Sequence, residues 1–386
     1  MSKNGLLNRG LHKFLKIPFF IARGIRYHAA GRFYIPKPKK FYLTVTDRCN
    51  ARCVMCSFWK KKPGKEPTLD DIQRVFSNPL LDRLETVVLS GGEPTLRDDL
   101  PQVTQTILSS NRCVKYLFVV TNGLDSSVVQ ERVEDILGLA VCKKLKEFTV
   151  VVSMDGVGAV HDNTRGIPYA FENVSETLKR LKKLQHISPF KILINCTVMK
   201  ANAGGLQEIF KFARKMDLPV AFHPLNMKIS DEEVYRKEQM LSSDQLRALK
   251  DLFNGQIELR LTDAALWQDY FRMMGGRKRR LPCASPYYTV FMSSDGDLYV
   301  CAMYDQVKPF IYGNAFEESI DKIWYSKKAQ ETRRKVKKHI CQSCENPCEA
   351  SFSLNREVFY LARFVIKEQI MRMWYNKMNN GCVVAL

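Results

Sequence analysis

The stretch Tyr42–Trp59, YLTVTDRCNARCVMCSFW, decides how this chain is to be read. It opens as an apolar, β-branched run with strand character, then places Cys49, Cys53 and Cys56 within eight residues in the spacing C-x3-C-x2-C. Two cysteines would suggest a redox pair or half a zinc site, and four would close a tetrahedral metal site. Three bind a metal centre and leave one position unfilled. A four-iron cluster normally takes four thiolates, so a triad would leave one iron free to bind something else. A zinc knuckle that borrows a distant ligand, or three unrelated buried thiols, are the readings that spacing alone leaves open.

Outward from this stretch, apolar β-branched runs recur at FYLTVT (41–46), ETVVLSGG (85–92), KYLFVVTNG (115–123), EFTVVVSMDG (147–156), KILINCTVM (191–199) and PVAFHPLN (219–226). Helical patterns separate them, among them LDDIQRVF, SVVQERVEDILGLA, AFENVSETLKRLKKL and LQEIFKFARKM. Near-continuous apolar strands alternating with amphipathic helices are the signature of parallel β/α architecture. Six such units between about residues 40 and 226 are fewer than the eight that close a full barrel. The fold expected is therefore α/β, a partial (β/α)6 barrel with an open side. In such folds chemistry collects at the C-terminal ends of strands. Those ends here are the cysteine loop, SGGEPT, TNG, SMDG and NCTV, rich in small and polar residues.

A second cysteine system follows at Cys283, Cys301, Cys341, Cys344 and Cys348. Between the first two, YYTVFMSSDGDLYVC reads as a strand, a turn at Asp295-Gly296-Asp297 and a second strand. The organisation expected is a basic amphipathic arm over 1–40, a barrel over 41–240, a helical connector over 241–280, a cysteine-rich module over 281–352 with a β-hairpin and flanking helices, and a C-terminal amphipathic helix and tail over 353–386. Cys113, Cys142 and Cys196 are expected to be small buried hydrophobes, and Cys382 stands apart from both systems.

The 386 residues carry 45% hydrophobic and 26% charged residues, an ordinary globular composition. Twelve cysteines without an export signal read as metal ligands in a reducing compartment, so a cytoplasmic location is expected. The net charge of +20 is concentrated at the ends: residues 1–40 contain no acidic residue. There Lys3, Arg9, Lys13, Lys16, Arg23, Arg26 and Arg32 interleave with Leu6, Leu7, Leu11, Phe14, Leu15 and Phe19 at helical spacing. Such a segment can pack on its own protein, lie on the anionic inner face of a membrane, or form an RNA footprint. FYLARFVIKEQIMRMWYNKM (359–378) repeats the ambiguity.

The triad, followed at the next strand end by Gly91-Gly92-Glu93-Pro94, resembles the radical S-adenosylmethionine superfamily. SMDGVGAVHDNTRG (Ser153–Gly166) and the C-terminal cysteines, with Gly296 five residues before Cys301, resemble members with a SPASM or twitch extension. The resemblance covers roughly residues 40–352. It implies that Cys49, Cys53 and Cys56 hold a [4Fe-4S] cluster whose open iron chelates S-adenosylmethionine, and that reductive cleavage yields a 5′-deoxyadenosyl radical that removes a substrate hydrogen atom. It implies close backbone approach to the ligand at Gly91 and Gly92, a contact from Glu93 to its ammonium, Ser153 near its ribose or carboxylate, and Arg165 against its carboxylate. It further implies one auxiliary [4Fe-4S] cluster on Cys283, Cys301, Cys341 and Cys344, with Cys348 the alternate ligand. Seven cysteines would be needed for two clusters and five are present. A zinc site remains the alternative there.

Relatives with this extension commonly modify ribosomally made peptides through an N-terminal leader-binding domain. Only about forty residues precede the barrel here, which shifts the expected substrate toward a carbohydrate or lipid-linked molecule, with a peptide as the second reading. A flavodoxin or ferredoxin is the electron donor the chemistry asks for. Nucleotide or RNA modification ranks third, and nucleic acid is not expected as a partner. A zinc-bound structural or nucleic-acid-binding protein is the reading from a different class. No residue is singled out as the catalytic acid or base.

Overall fold

A computed structural model of the chain describes residues 17–366 except 57, 61, 226–237, 256–258, 260, 282, 302–309, 340, 343, 345–348, 355–358, 361, 364 and 365. Helix α1 (Ile17–Ala29) leads to β1 (Lys40–Thr46), and the alternation then runs α2 (Leu69–Phe76), β2 (Thr86–Gly91), α3 (Leu100–Ser110), β3 (Tyr116–Thr121), α4 (Ser126–Cys142) and β4 (Glu147–Ser153). It continues through α5 (Ala159–Arg165), α6 (Ala170–Ile187), β5 (Lys191–Val198), α7 (Leu206–Lys215) and β6 (Val220–Pro224). Two of these helices start on a side-chain cap. Thr68 and Asp71 form a reciprocal capping box on α2, and the Asp125 carboxylate accepts from the Val128 N–H at 3.1 Å on α4. Such caps satisfy N–H groups that have no partner within the helix.

Strands β1 to β6 are parallel neighbours in one open sheet. Alternate residues sort by face. Phe41, Leu43, Leu89, Leu117, Val150 and Ile194 are 0% exposed and share one core with Ile72, Val103, Ile136 and Leu178 of the surrounding helices. The opposite face is the inside of the partial barrel. There Tyr42, Phe118, Val151, Ser153, Asn195 and His223 are only half buried. At the far edge, Cys196 and Phe222 pack on α8 (Ser243–Gly255) and α9 (Leu261–Met274), where Trp267 donates from its indole nitrogen to the Phe222 carbonyl at 3.0 Å.

The C-terminal hairpin does not stand apart from this sheet. After the short helix α10 (Ser285–Tyr288), β7 (Thr289–Met292) pairs in parallel with β1, Lys40 opposite Thr289 through Leu43 opposite Met292. Strands β8 (Asp297–Tyr299) and β9 (Ile311–Asn314) continue antiparallel. The whole is one nine-stranded sheet in the order β6-β5-β4-β3-β2-β1-β7-β8-β9. The turn falls at residues 293–296, as the Asp-Gly-Asp signal predicts, with Gly296 at φ +90°. Helices α11 (Ile320–Tyr325) and α12 (Lys327–His339) cover β9, and α13 (Ala350–Leu354) returns to the base of β1. There the Lys40 ammonium lies 3.1 Å from Glu349, and the second Glu349 oxygen accepts from the Thr289 hydroxyl at 2.8 Å.

The apolar stripe over residues 6–19 behind the three sequence readings has no described side chains, but the C-terminal end of α1 packs one side on the protein. Tyr27 stacks on Tyr288 at 6.0 Å, the Tyr288 hydroxyl donates to the Arg26 carbonyl at 3.2 Å, and Ala30 is buried beside Tyr287. Ile21, Ile25 and Phe33 remain exposed on the other side. Among the described residues no helix is long and apolar enough to cross a membrane. Residues 1–16, Cys348, Cys382 and most of the expected C-terminal helix lie outside the described residues. Two cysteine expectations are corrected. Cys113, in the turn before β3, and Cys142, beyond the last buried position of α4, are exposed, whereas Cys196 is buried.

Candidate active site

The cysteine loop leaves the C-terminal end of β1 and is laced on both sides by backbone bonds. On the β2 side, the Gly92 N–H donates to the Thr46 carbonyl at 2.9 Å and the Glu93 N–H to that of Arg48 at 2.8 Å. On the α5 side, the Arg52 N–H donates to the Arg165 carbonyl at 2.9 Å and the Val54 N–H to that of Thr164 at 3.0 Å. This lacing requires glycine twice. A Cβ on Gly92 would stand 2.2 Å from the Arg48 carbonyl oxygen, and one on Gly166 (φ +65°) 2.5 Å from that of Arg52. Gly91 behaves likewise toward the Thr46 oxygen at 2.3 Å. The lack of a Cβ at Gly91 and Gly92 thus lets the cysteine loop pack directly against the end of β2.

Glu93 is likewise committed to the protein. It is 1% exposed; one oxygen accepts from the Thr95 hydroxyl at 2.7 Å and the Thr95 N–H at 3.2 Å, and the other from the Asn122 N–H at 2.6 Å. Burial raises its carboxyl above the usual range, opposed by these hydrogen bonds. The carboxylate ties the end of β2 to the end of β3. Asn122 passes the tie on, donating from its side chain to Asn50 at 2.7 Å and reaching the Cys49 sulfur at 4.0 Å.

Arg165 is buried, which excludes a solvated arginine. Its Nη2 lies 2.7 Å from Asp155 Oδ2, and its Nη1 donates to the Cys53 sulfur at 3.6 Å. The guanidinium thus bridges an internal carboxylate and one thiol of the triad. Asp155 is fixed in turn: its Oδ1 accepts from the Thr197 N–H at 2.7 Å, its own N–H donates to His161 Nδ1 at 3.0 Å, and its carbonyl accepts from the Asn202 amide at 2.9 Å. Burial, reinforced by the Arg165 charge, lowers the His161 pKa to about 3, so its ring is neutral. Ser153 closes β4 on the inner face, opposite Asn195 and half buried. Sequence reasoning missed Asp155, His161, Asn122 and Asn202. For Asp155, Asn122 and Asn202 the signal was position, since each follows a buried strand by a few residues, but small polar residues there also make ordinary turns.

The three thiols suit an iron–sulfur group. Burial pushes Cys49 up to about 11 and raises Cys53, which Arg165 opposes; metal ligation would release these protons. Arg165 and Asn122 direct N–H groups toward two of the sulfurs, and the buried Arg165 Nε has no partner. Among the described residues no three His, Cys, Asp or Glu side chains are grouped for a single metal ion. A four-iron cube is wider than one ion and asks for more separated thiols.

In the extension, Cys283, Cys341 and Cys344 gather around Arg279, whose Nη1 donates to the Cys344 carbonyl at 2.9 Å. Burial pushes Cys283 up to about 11 and Cys341 up to about 12. Cys301, at the end of β8, lies near Tyr312 and packs against the same core as Cys341 and Cys344.

Residues 43–213 match the radical SAM superfamily, and residues 283–348 match SPASM, an iron–sulfur cluster-binding domain. The AdoMet-dependent heme synthase of Methanosarcina barkeri is 25% identical over 307 residues, 74% of this chain and 82% of that protein. The probable GTP 3′,8-cyclase of Methanococcus maripaludis is 26% identical over 184 residues, 46% of this chain, so the chain spans 56% of that relative. The solved structure of native anSMEcpe with bound AdoMet and Cp18Cys peptide aligns with a TM-score of 0.57 at 19% identity, over 86% of this chain and 99% of that one. At that identity the likeness establishes a shared fold.

Proposed function

Since the chain is a radical SAM enzyme with a C-terminal SPASM iron–sulfur domain, we propose that it takes a hydrogen atom from an uncharged segment of a peptide held inside the partial barrel. Its cofactors are iron–sulfur clusters and S-adenosylmethionine, which together supply one-electron cleavage and a carbon radical strong enough for an unactivated C–H bond. Cys49, Cys53 and Cys56 would hold the first cluster. Cys283, Cys301, Cys341 and Cys344, or Cys348 in place of one of them, would hold one auxiliary cluster. The chain's own residues position and shield this chemistry. The Gly92 and Gly166 backbones seat the cysteine loop, Arg165 places a cation on Cys53, and Ser153 with Asn195 offers hydrogen bonds at the rim.

The observation that carries the substrate reading is the inner face of the strands. Its described residues toward the C-terminal ends are Tyr42, Val88, Ser90, Phe118, Val120, Val151 and Ser153, then Leu193, Asn195, Thr197 and His223, with no lysine, arginine or carboxylate among them. The charged residues of that face sit at the opposite end and are paired, Lys40 with Glu349 and Lys191 with Glu147. A nucleoside triphosphate or a tetrapyrrole carrying several carboxylates would need cations there. Peptide amides are matched by the neutral donors and acceptors. A carbohydrate or lipid-linked substrate is the second reading, favoured by Ile21, Ile25 and Phe33 exposed beside Arg26 and Arg32 on the N-terminal segment.

Anaerobically reconstituted protein with dithionite or flavodoxin tests both. Under the peptide reading, a host-cell extract raises 5′-deoxyadenosine release above the substrate-free rate, and proteinase K treatment of the extract removes that stimulation. Stimulation that survives protease and follows the lipid or glycan fraction selects the second reading. Stimulation by GTP would overturn the neutral-substrate reading.

A further inference from the structure

We propose that Asp155 is a positioning residue for the N-terminal thiol site. It holds the Arg165 guanidinium beside the Cys53 sulfur and offsets part of its charge, and so tunes the electron affinity of the cluster bound there. This rests on the assignment of Cys53 as a cluster ligand.

Asp155 is 0% exposed and is anchored at four points across three elements. Its Oδ1 meets the Thr197 N–H of β5, its Oδ2 the Arg165 Nη2 at the end of α5, its N–H the His161 ring and its carbonyl the Asn202 amide. A side chain held this way cannot swing, and a guanidinium is a planar fork, so fixing one arm fixes the other. The second arm is Nη1, at 3.6 Å from the Cys53 sulfur. The Arg165 carbonyl also accepts from the Arg52 N–H at 2.9 Å, which ties the position of the arginine to the loop that carries Cys53.

The electrostatic consequence has a definite sign. Hydrogen bonds and positive charge at a ligating sulfur favour the reduced, more negative state of an iron–sulfur centre. Arg165 therefore raises the potential, and Asp155, by sharing its charge, moderates the rise. Removing one or the other must shift the potential in opposite directions. A residue that only braced the loop would give no such opposition.

The experiment is an anaerobic redox titration of the reconstituted full chain without S-adenosylmethionine. The signal followed is the electron paramagnetic resonance of the reduced cluster that is lost in Cys53→Ala. Asp155→Asn keeps the shape and removes the charge, and the midpoint potential is expected to rise. Arg165→Gln removes the charge and the donor fork, and the potential is expected to fall. Asp155→Asn/Arg165→Gln leaves no unpaired buried charge, so it protects the test from a folding defect in the arginine variant. Its potential is expected below wild type at normal iron content. Unchanged potentials, or shifts of the same sign in the two single variants, overturn the inference. If Cys53→Ala removes no signal, the ligand assignment itself fails, and that result is distinguishable from the first.

Discussion

Replacing Glu349 by leucine should destabilise the chain by far more than its single ion pair suggests. Glu349 is 3% and the Lys40 side chain 11% exposed, and the pair is closed by Thr289 on one side and by the Tyr42 ring, 4.5 Å from the ammonium, on the other. Burial alone would lower the Lys40 pKa; Glu349, aided by Tyr42, overrides it and holds the ammonium above the usual lysine range. Removing the carboxylate leaves an uncompensated buried charge, which costs about 3–5 kcal/mol. At about 2.1 cal/mol/K per residue, the 386 residues give an unfolding entropy of about 0.8 kcal/mol/K, so Tm falls by about 4–6 °C. Lys40→Met/Glu349→Leu should recover most of this, because a well-packed apolar pair replaces a buried ion pair at little cost. The folded-state pKa of Lys40 is raised above its unfolded value of about 10.4. In wild type its contribution is therefore complete below that pH and is lost only as pH climbs through the folded value. In Glu349→Leu burial acts without the carboxylate and lowers the Lys40 pKa, so the gap should be widest at about pH 6 and narrow as pH rises toward about 9. Calorimetry and urea titration at matched iron content measure all three proteins. A single variant within about 1 kcal/mol of wild type, or a double variant as unstable as the single, refutes the reasoning.

Neutral, buried His161 supplies a pH-dependent term of the opposite kind. Its folded pKa of about 3 lies below the unfolded value, so protons favour the unfolded chain as pH falls from about 6.5. By pH 5 the urea-derived stability of wild type should have dropped about 2 kcal/mol more than that of His161→Gln; parallel curves contradict this. Gly166→Ala forces a Cβ to within 2.5 Å of the Arg52 carbonyl at φ +65°, at a cost of about 1–3 kcal/mol. Protease nicking in the cysteine loop should report that cost before global melting does. Cys53→Ala should lower iron content by about four per chain and abolish 5′-deoxyadenosine release; unchanged release would defeat the proposed mechanism. Wild type purified without oxygen should be brown, with about eight irons per chain, and a colourless zinc protein would point to the rival class.

Much of the barrel was legible because buried parallel strands are written as unbroken apolar runs, and all six runs became strands. Local chemistry also exposed the cysteine triad and the Asp-Gly-Asp turn. The pairing of β7 with β1 was not legible: TVFM is four residues long and nothing in it names a partner some 250 positions away. Glu93 and Arg165 have internal partners that were not legible, for a related reason. Their residue types suit an ammonium and a carboxylate, but the partners they meet, Asn122 and Asp155, come from other strand ends and are known only once the sheet is assembled. Cys113 and Cys142 were misplaced because a thiol's average burial says little about one at a turn or a helix end.

The parallel ladder between Lys40–Leu43 and Thr289–Met292 has a consequence for how the molecule is made. A strand that would otherwise bound the barrel waits, with one row of amides unsatisfied, until the last third of the chain has been synthesised. Until then the segment leading into the first metal loop presents a sticky margin to other chains. Premature termination before residue 289 should therefore yield inclusion bodies in place of a smaller working barrel, and the C-terminal module cannot be trimmed away as an accessory.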